Sequence, residues 1–266
     1  MYVRPKRGLG QHFLKEKKVA EQIVSSLQVS NYNSTMGKAK VLEIGPGTGV
    51  LTQFLKENQE IELSVVEIDT ESIEYLRATM PTVNIIEGDF LKLNLSLLFG
   101  GDIYLIGNLP YNISSQIFFK ILDYREQIPQ IVCMIQREVA ERIASAPGKK
   151  SYGILSVLLQ AWYDIEYLFT VDENCFTPPP KVKSAVIRLK RNGRHSLGCD
   201  EGLFKRMVKT TFNQRRKTIR NSLKPLLGGG KIVPDNHPLL SMRPEQLSVE
   251  QFVELVSAYQ SPSSYP

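Results

Sequence analysis

Residues 41–49 read Val41-Leu42-Glu43-Ile44-Gly45-Pro46-Gly47-Thr48-Gly49, a short apolar run that delivers a glycine-rich turn. A run of this length predicts a buried strand, and the periodic stretch at residues 50–57 predicts a helix directly after the turn. Glycine here lets the backbone approach a ligand closely and adopt dihedrals barred to other residues. A dinucleotide site and a plain tight turn both fit these residues, so the flanking sequence has to decide.

Working outward, short apolar runs at residues 63–68, 83–86, 103–106, 131–136 and 184–190 join residues 41–44 as expected strands. Helical periodicity occupies residues 19–27, 50–57, 71–80, 113–122 and 154–161. This alternation predicts an α/β, doubly wound parallel sheet covered by helices. A polar link at Asn192-Gly193 then opens a helical stretch, with helices expected at 203–212, 216–227 and 249–259, a Gly228-Gly229-Gly230 break and a frayed tail at 261–266. The expected organisation is a domain over 1–191, including a basic N-terminal arm, and a small all-α domain over 192–266.

Glu67 ends the second strand about 20 residues beyond the glycine turn, where a carboxylate can accept from both hydroxyls of a ribose. Asp69, two residues on, suits the cap of the following helix. Asp89 ends the third strand at the same sheet edge and can accept from an adenine amine. The fourth strand leads into Asn108-Leu109-Pro110-Tyr111. A nicotinamide enzyme shares the glycines and the ribose carboxylate, but no hydride-handling site accompanies them.

An amide, a proline carbonyl and an aromatic ring beside a nucleotide-like ligand suit methylation of an adenine amine. That nitrogen is a poor nucleophile because its lone pair is delocalised, and acceptors aimed at its hydrogens favour the pyramidal form. The Asn108 oxygen and the Pro110 carbonyl are the expected acceptors, and Tyr111 offers a face for an everted base. S-adenosylmethionine, already activated as a sulfonium, makes a strong general base unnecessary. A DNA adenine methyltransferase would use the same polar-proline-aromatic arrangement.

In these motifs the sequence resembles the rRNA adenine N6,N6-dimethyltransferase family of the KsgA type, across nearly its whole length. The resemblance implies a Rossmann-like S-adenosylmethionine-dependent methyltransferase fold, with Gly45, Gly47, Glu67, Asp89 and Asn108 lining the cofactor pocket. It makes Gly10-Gln11-His12-Phe13-Leu14 the segment that closes over the cofactor, with His12 and Leu14 in contact; His12 stands where the family usually has Asn. It further implies that Phe176, in Asn174-Cys175-Phe176-Thr177-Pro178-Pro179-Pro180-Lys181-Val182, packs on the target base opposite Tyr111.

Charge supplies a second line of argument. Of 266 residues 42% are hydrophobic, enough for a full core, and the net charge is +6. Residues 1–180 hold 17 Lys/Arg against 21 Asp/Glu, whereas residues 181–266 hold 16 against 6, so the C-terminal third is +10 and the rest −4. Such asymmetry fits a polyanion, nucleic acid before an anionic membrane. Between Phe204 and Lys224 eight basic residues occur without an acidic one. Of these Arg215, Arg216, Lys217 and Arg220 are the expected RNA contacts, with Arg216 and Arg220 sharing a helix face.

The Phe-Thr-Pro-Pro-Pro-Lys-Val and Phe-Asn-Gln-Arg-Arg-Lys stretches resemble the housekeeping small-subunit enzyme more than the resistance enzymes that methylate large-subunit RNA. The implied reaction is dimethylation of two adjacent adenosines in the 3′-terminal hairpin loop of small-subunit (16S) rRNA within a pre-assembled subunit, as a step of ribosome biogenesis. A non-catalytic RNA-binding assembly factor is the alternative of another class. Cys133, Cys175 and Cys199 form no CxxC pair and His12, His195 and His237 are scattered, so no metal and a reducing, cytoplasmic setting are expected. The basic start leads into no apolar segment, which suggests a soluble chain, expected to be monomeric and to need no membrane.

Overall fold

A computed structural model describes residues 3–29, 37–226 and 236–260. The chain divides into two compact units, residues 1–140 with 164–191, and residues 141–163 with 192–266.

In the first unit a seven-stranded sheet has the order β4-β3-β2-β5-β6-β9-β7. Its strands are β2 (Ala39–Ile44), β3 (Ile61–Glu67), β4 (Asn84–Glu87), β5 (Tyr104–Asn108), β6 (Gln130–Gln136), β7 (Tyr163–Val171) and β9 (Ser184–Arg191). The ladder from β4 to β6 is parallel, and β9 runs antiparallel to β6. Val41, Leu42, Val65, Leu105, Val132 and Val186 are all buried, as strands covered on both faces require. A separate two-stranded ladder pairs β1 (Phe13–Leu14) with β8 (Phe176–Thr177).

The helices of this unit are α1 (Lys17–Ser25), α2 (Thr52–Leu55), α3 (Thr70–Thr79), α4 (Leu95–Phe99) and α5 (Ser114–Asp123), and α6 (Arg137–Ile143) follows β6. Strand order reverses between β2 and β5, because β3 and β4 build out on one side and β5 and β6 on the other. Ligand crevices in open α/β sheets lie outside the carboxyl ends of the strands at such a reversal. Register brings Ile44 level with Val66, Glu67 with Glu87, and Asn108 with Met134.

The second unit holds α7 (Ile154–Gln160), α8 (Glu201–Phe212), α9 (Ile219–Ser222) and α10 (Val249–Gln260). Asp200 caps α8 by accepting from the Leu203 N–H at 2.9 Å. One face of α8 buries Leu203, Phe204, Met207, Val208, Thr211 and Phe212. Phe204 meets Phe252 edge-on at 6.5 Å, and Phe212 lies 6.1 Å from both Phe252 and Tyr152.

Three expectations need adjustment. Strand β7 carries Asp164 and Glu166 and forms the sheet edge, where Arg188 grips Glu166 at 2.5 and 3.3 Å; a charged edge strand lacks the apolar run that marks its neighbours. The single boundary expected at Asn192 is one of several, since residues 141–163 group with the C-terminal unit through buried Tyr152 and a Gly148 N–H to Glu245 carbonyl bond of 2.6 Å. The helix expected at 216–227 is α9 followed by a 3-10 turn at Lys224–Leu226, because Pro225 cannot continue the helix. Arg216 thus lies in a turn, and it shares no helix face with Arg220. Gly228-Gly229-Gly230 and the tail at 261–266 lie outside the described residues. Among the described residues no helix is long and apolar enough to cross a membrane.

Candidate active site

At the carboxyl edge of the first unit's sheet lies a cleft of about 290 Å³. The turn after β2 contributes Gly45 and Gly47, the end of β3 Glu67, the turn after β4 Asp89, and the end of β5 Asn108 with Pro110 and Tyr111; the N-terminal arm adds His12. Eight of the ten residues expected around cofactor and base therefore share one cleft.

Gly45 has φ +65°, and a Cβ there would meet no protein atom within 4 Å, so the turn offers bare backbone. Gly47 has φ +55°, and a Cβ there would strike the Phe13 ring at 2.8 Å. Three backbone N–H groups hold the buried Glu67 carboxylate: Gly47 at 3.1 Å, Ile68 at 2.8 Å and Asp69 at 2.9 Å. Burial raises the Glu67 carboxyl above its ordinary value against those hydrogen bonds, and the nearby Asp69 charge adds to the rise. Asp89 spends Oδ1 on the Leu91 N–H at 2.9 Å.

The Asn108 Nδ2 group donates to the His12 carbonyl at 2.9 Å. The Pro110 carbonyl closes a turn with the Ile113 N–H at 3.3 Å, which leaves its second lone pair. Tyr111 is fixed through its hydroxyl, 2.5 Å from Ser184 Oγ, and the His12 ring stacks on it at 5.5 Å and 27°.

Leu14 and Phe176 go elsewhere. They are register partners in the β1–β8 ladder, 4% and 1% exposed, and they pack in the core with Val132, Met134 and Val186. Alternation along β1 explains this, since sending Leu14 inward turns Phe13 toward the cleft. Neither the contact expected of Leu14 nor the base contact expected of Phe176 is part of this arrangement.

Asp69 also departs from expectation. It occupies the N-cap position of α3 but makes no side-chain cap bond; its carboxylate takes Lys6 Nζ, Gln11 Nε2 at 3.3 Å and Ser72 Oγ at 2.8 Å. Ile68, 51% exposed, joins the cleft lining, and its one mark in the sequence is that an apolar residue directly follows Glu67.

In the second unit Arg216, Lys217 and Arg220 are exposed. Arg215 is half-buried and committed to its own unit, donating to the Lys150 carbonyl at 3.0 Å and lying 3.9 Å from Glu245. Among the described residues no group of three or more His, Cys, Asp or Glu side chains is placed to hold a metal ion.

The family described as ribosomal RNA adenine dimethylase matches residues 3–261. This chain belongs to that family. It is an S-adenosylmethionine-dependent methyltransferase that dimethylates adenine in rRNA. "Ribosomal RNA small subunit methyltransferase A" of Parabacteroides distasonis is 61% identical over 256 residues, 95% of this chain and 93% of that protein. The protein of the same name from Bacteroides fragilis is 55% identical, covering 99% and 95%. Among solved structures, a dimethyladenosine transferase from Plasmodium falciparum matches with a TM-score of 0.71 at 24% identity, covering 92% of this chain and 96% of that one. The 23S rRNA methyltransferase ErmE matches with a TM-score of 0.67 at 24% identity, covering 92% and 99%. At that identity the likeness concerns the fold, which is the Rossmann-like methyltransferase fold.

The cleft fits S-adenosylmethionine. Bare backbone at Gly45, a ribose-type carboxylate immobilised by three amides, and exposed Ile68 beside it provide for the sugar and base of an adenosine.

Proposed function

We propose that this methyltransferase dimethylates the N6 amines of two adjacent adenosines in the 3′-terminal hairpin loop of small-subunit (16S) rRNA, acting as a monomer on a pre-assembled subunit in the cytoplasm as a step of ribosome biogenesis. The small-subunit names of relatives 61% and 55% identical support that choice of target. The observation that carries the chemistry is the Asn108 amide at the end of β5, with its Nδ2 committed to the His12 carbonyl at 2.9 Å and its oxygen left as an acceptor in the cleft.

Gly45 and Gly47 would admit the cofactor to the backbone, Glu67 would accept its ribose hydroxyls, and Asp89 its adenine amine. Bound there, S-adenosylmethionine supplies an electrophilic methyl group. Asn108 Oδ1 and the Pro110 carbonyl would accept from the hydrogens of the target amine, which favours a pyramidal nitrogen; its lone pair takes the methyl group as the carbon–sulfur bond breaks to leave a neutral thioether, and the nitrogen releases its surplus proton to water. Tyr111, pinned by Ser184, gives the everted base a stacking face. Unpaired loop adenines can reach such a cleft, whereas bases stacked in a helix cannot. Arg216, Lys217 and Arg220 contact phosphate, and Arg215 holds its own unit together.

Methylated nucleotides mapped on small subunits from cells with and without the protein test the target; modification of large-subunit RNA instead would overturn it. Asn108→Ala should lower turnover by about 10²-fold or more while RNA binding persists, the scale of losing one preorganised group at a transition state. A wild-type rate in that variant would sink the mechanism.

A further inference from the structure

We propose that Asp69 is a positioning residue: through Lys6 and Gln11 it latches the N-terminal arm, and the latched arm fixes the direction in which the Asn108 amide points. The inference rests on the reading above, in which Asn108 accepts from the target amine.

The Asp69 side chain is 0% exposed although it sits at the start of a surface helix, and a buried carboxylate persists only with compensating donors. Ser72, on the same helix, supplies one. The other two, Lys6 and Gln11, come from the arm. Gln11 works at both ends, because its Nε2 donates to Asp69 while its Oε1 accepts the Lys6 N–H at 2.8 Å. Lys6, Gln11 and Asp69 thus close a ring across the base of the arm. Glu71 reinforces it, lying 3.4 Å from Lys6 Nζ and accepting the Arg4 N–H at 3.3 Å. Burial pushes the Asp69 carboxyl up, but its bonds to Lys6, Ser72 and Gln11 outweigh this and hold it below its ordinary value.

One residue past Gln11, the His12 carbonyl accepts a hydrogen bond from Asn108 Nδ2. A carbonyl can only accept, so it selects one of the two amide orientations: NH₂ toward the arm and oxygen away from it. The reversed amide would set oxygen against oxygen. The arm also carries the His12 ring, stacked on Tyr111 and bonded through Nδ1 to the Pro178 carbonyl at 2.8 Å. Two of the three residues assigned to the target base, Asn108 and Tyr111, are therefore contacted by the residue next to the latch. With the latch open, Asn108 loses the partner that orients it.

The test uses the full chain with Lys6→Ala, Lys6→Arg and Asp69→Asn. Lys6 keeps a side chain 37% exposed, so Lys6→Ala leaves the core intact even if Asp69→Asn fails to fold. Three quantities are read: the dissociation rate of S-adenosylmethionine, chymotryptic cleavage within the arm, whose sites the substitutions leave untouched, and kcat against KM for RNA at saturating cofactor. Lys6→Ala should raise cofactor dissociation and arm cleavage several-fold and lower kcat about tenfold with KM for RNA unchanged, and Lys6→Arg should restore all three. Unchanged dissociation and cleavage in Lys6→Ala would overturn the latch; faster dissociation with wild-type kcat would overturn its link to Asn108. Absence of methyl transfer by the unmodified protein would defeat the functional reading instead, and dissociation and cleavage would still decide the latch.

Discussion

Glu43 and Glu67 are both buried carboxyls near the sheet's carboxyl edge, and their surroundings separate them. Glu67 is met by three backbone N–H groups, whereas among the described residues Glu43 receives the Thr52 hydroxyl alone, at 2.6 Å. Desolvation, opposed by that hydroxyl and reinforced by the Glu67 charge, pushes the Glu43 carboxyl from 4.5 up to about 8. The folded chain therefore keeps a proton at Glu43 that the unfolded chain releases above its ordinary value, so this residue's contribution to stability falls as pH rises from 4.5 to about 8. The slope is at most about 1.4 kcal/mol per pH unit. Glu43→Gln, which stays neutral and can still accept from Thr52, should flatten it; urea midpoints at several pH values would reveal this, and parallel curves for the two proteins would refute it. Gly45, Glu67, Asp89 and Asn108 were legible in the sequence because each ends a strand or follows one, and a parallel sheet delivers all such ends to one edge. Asp69 and Phe176 were not, because their roles depend on Lys6, Gln11 and Leu14, partners distant along the chain that no local pattern announces.

The glycine turn between β2 and α2 is the element on which ligand access depends. Gly45→Ala puts a Cβ at φ +65°, a conformation costing roughly 1–2 kcal/mol for an L-residue, and projects it where no protein atom lies within 4 Å. The expected result is an intact fold with a modest loss of stability and a cofactor Kd raised at least tenfold, measured by calorimetry; an unaltered Kd would show that the ligand does not approach this turn. Other elements were legible to differing degrees, again for physical reasons. The central strands β2, β3, β5 and β6 stand out because burial on both faces demands continuous apolar runs. The edge strand β7 alternates with charge, and the two-residue strands β1 and β8 carry no periodicity at all. The helix α9 begins only at Ile219 and ends at Ser222, ahead of Pro225, so Arg215 and Arg216 belong to the turn before it and Arg220 to the helix itself.

Across the whole molecule, charge and chemistry are allotted to different parts of the sequence: the −4 of residues 1–180 accompanies the cleft, and the +10 of residues 181–266 includes Arg216, Lys217 and Arg220. Each cation that neutralises a phosphate releases condensed counterions, so RNA affinity should fall linearly with salt on a log–log plot, by roughly 0.7 to 0.9 per contact. Arg216→Ala with Arg220→Ala should then reduce the magnitude of that slope by about 1.4 to 1.8 and leave cofactor affinity unchanged. Arg215→Ala is the contrasting case. Arg215 serves the Lys150 carbonyl and faces Glu245, a carboxylate only 20% exposed, so its removal strands a partly buried charge. That variant should lose thermal stability while its salt slope stays near wild type. Filter binding of a small-subunit RNA hairpin across a salt series, alongside melting curves, separates the two. A wild-type slope in the double variant would remove Arg216 and Arg220 from the RNA-binding surface, and a reduced slope at unchanged stability in Arg215→Ala would restore that residue to it.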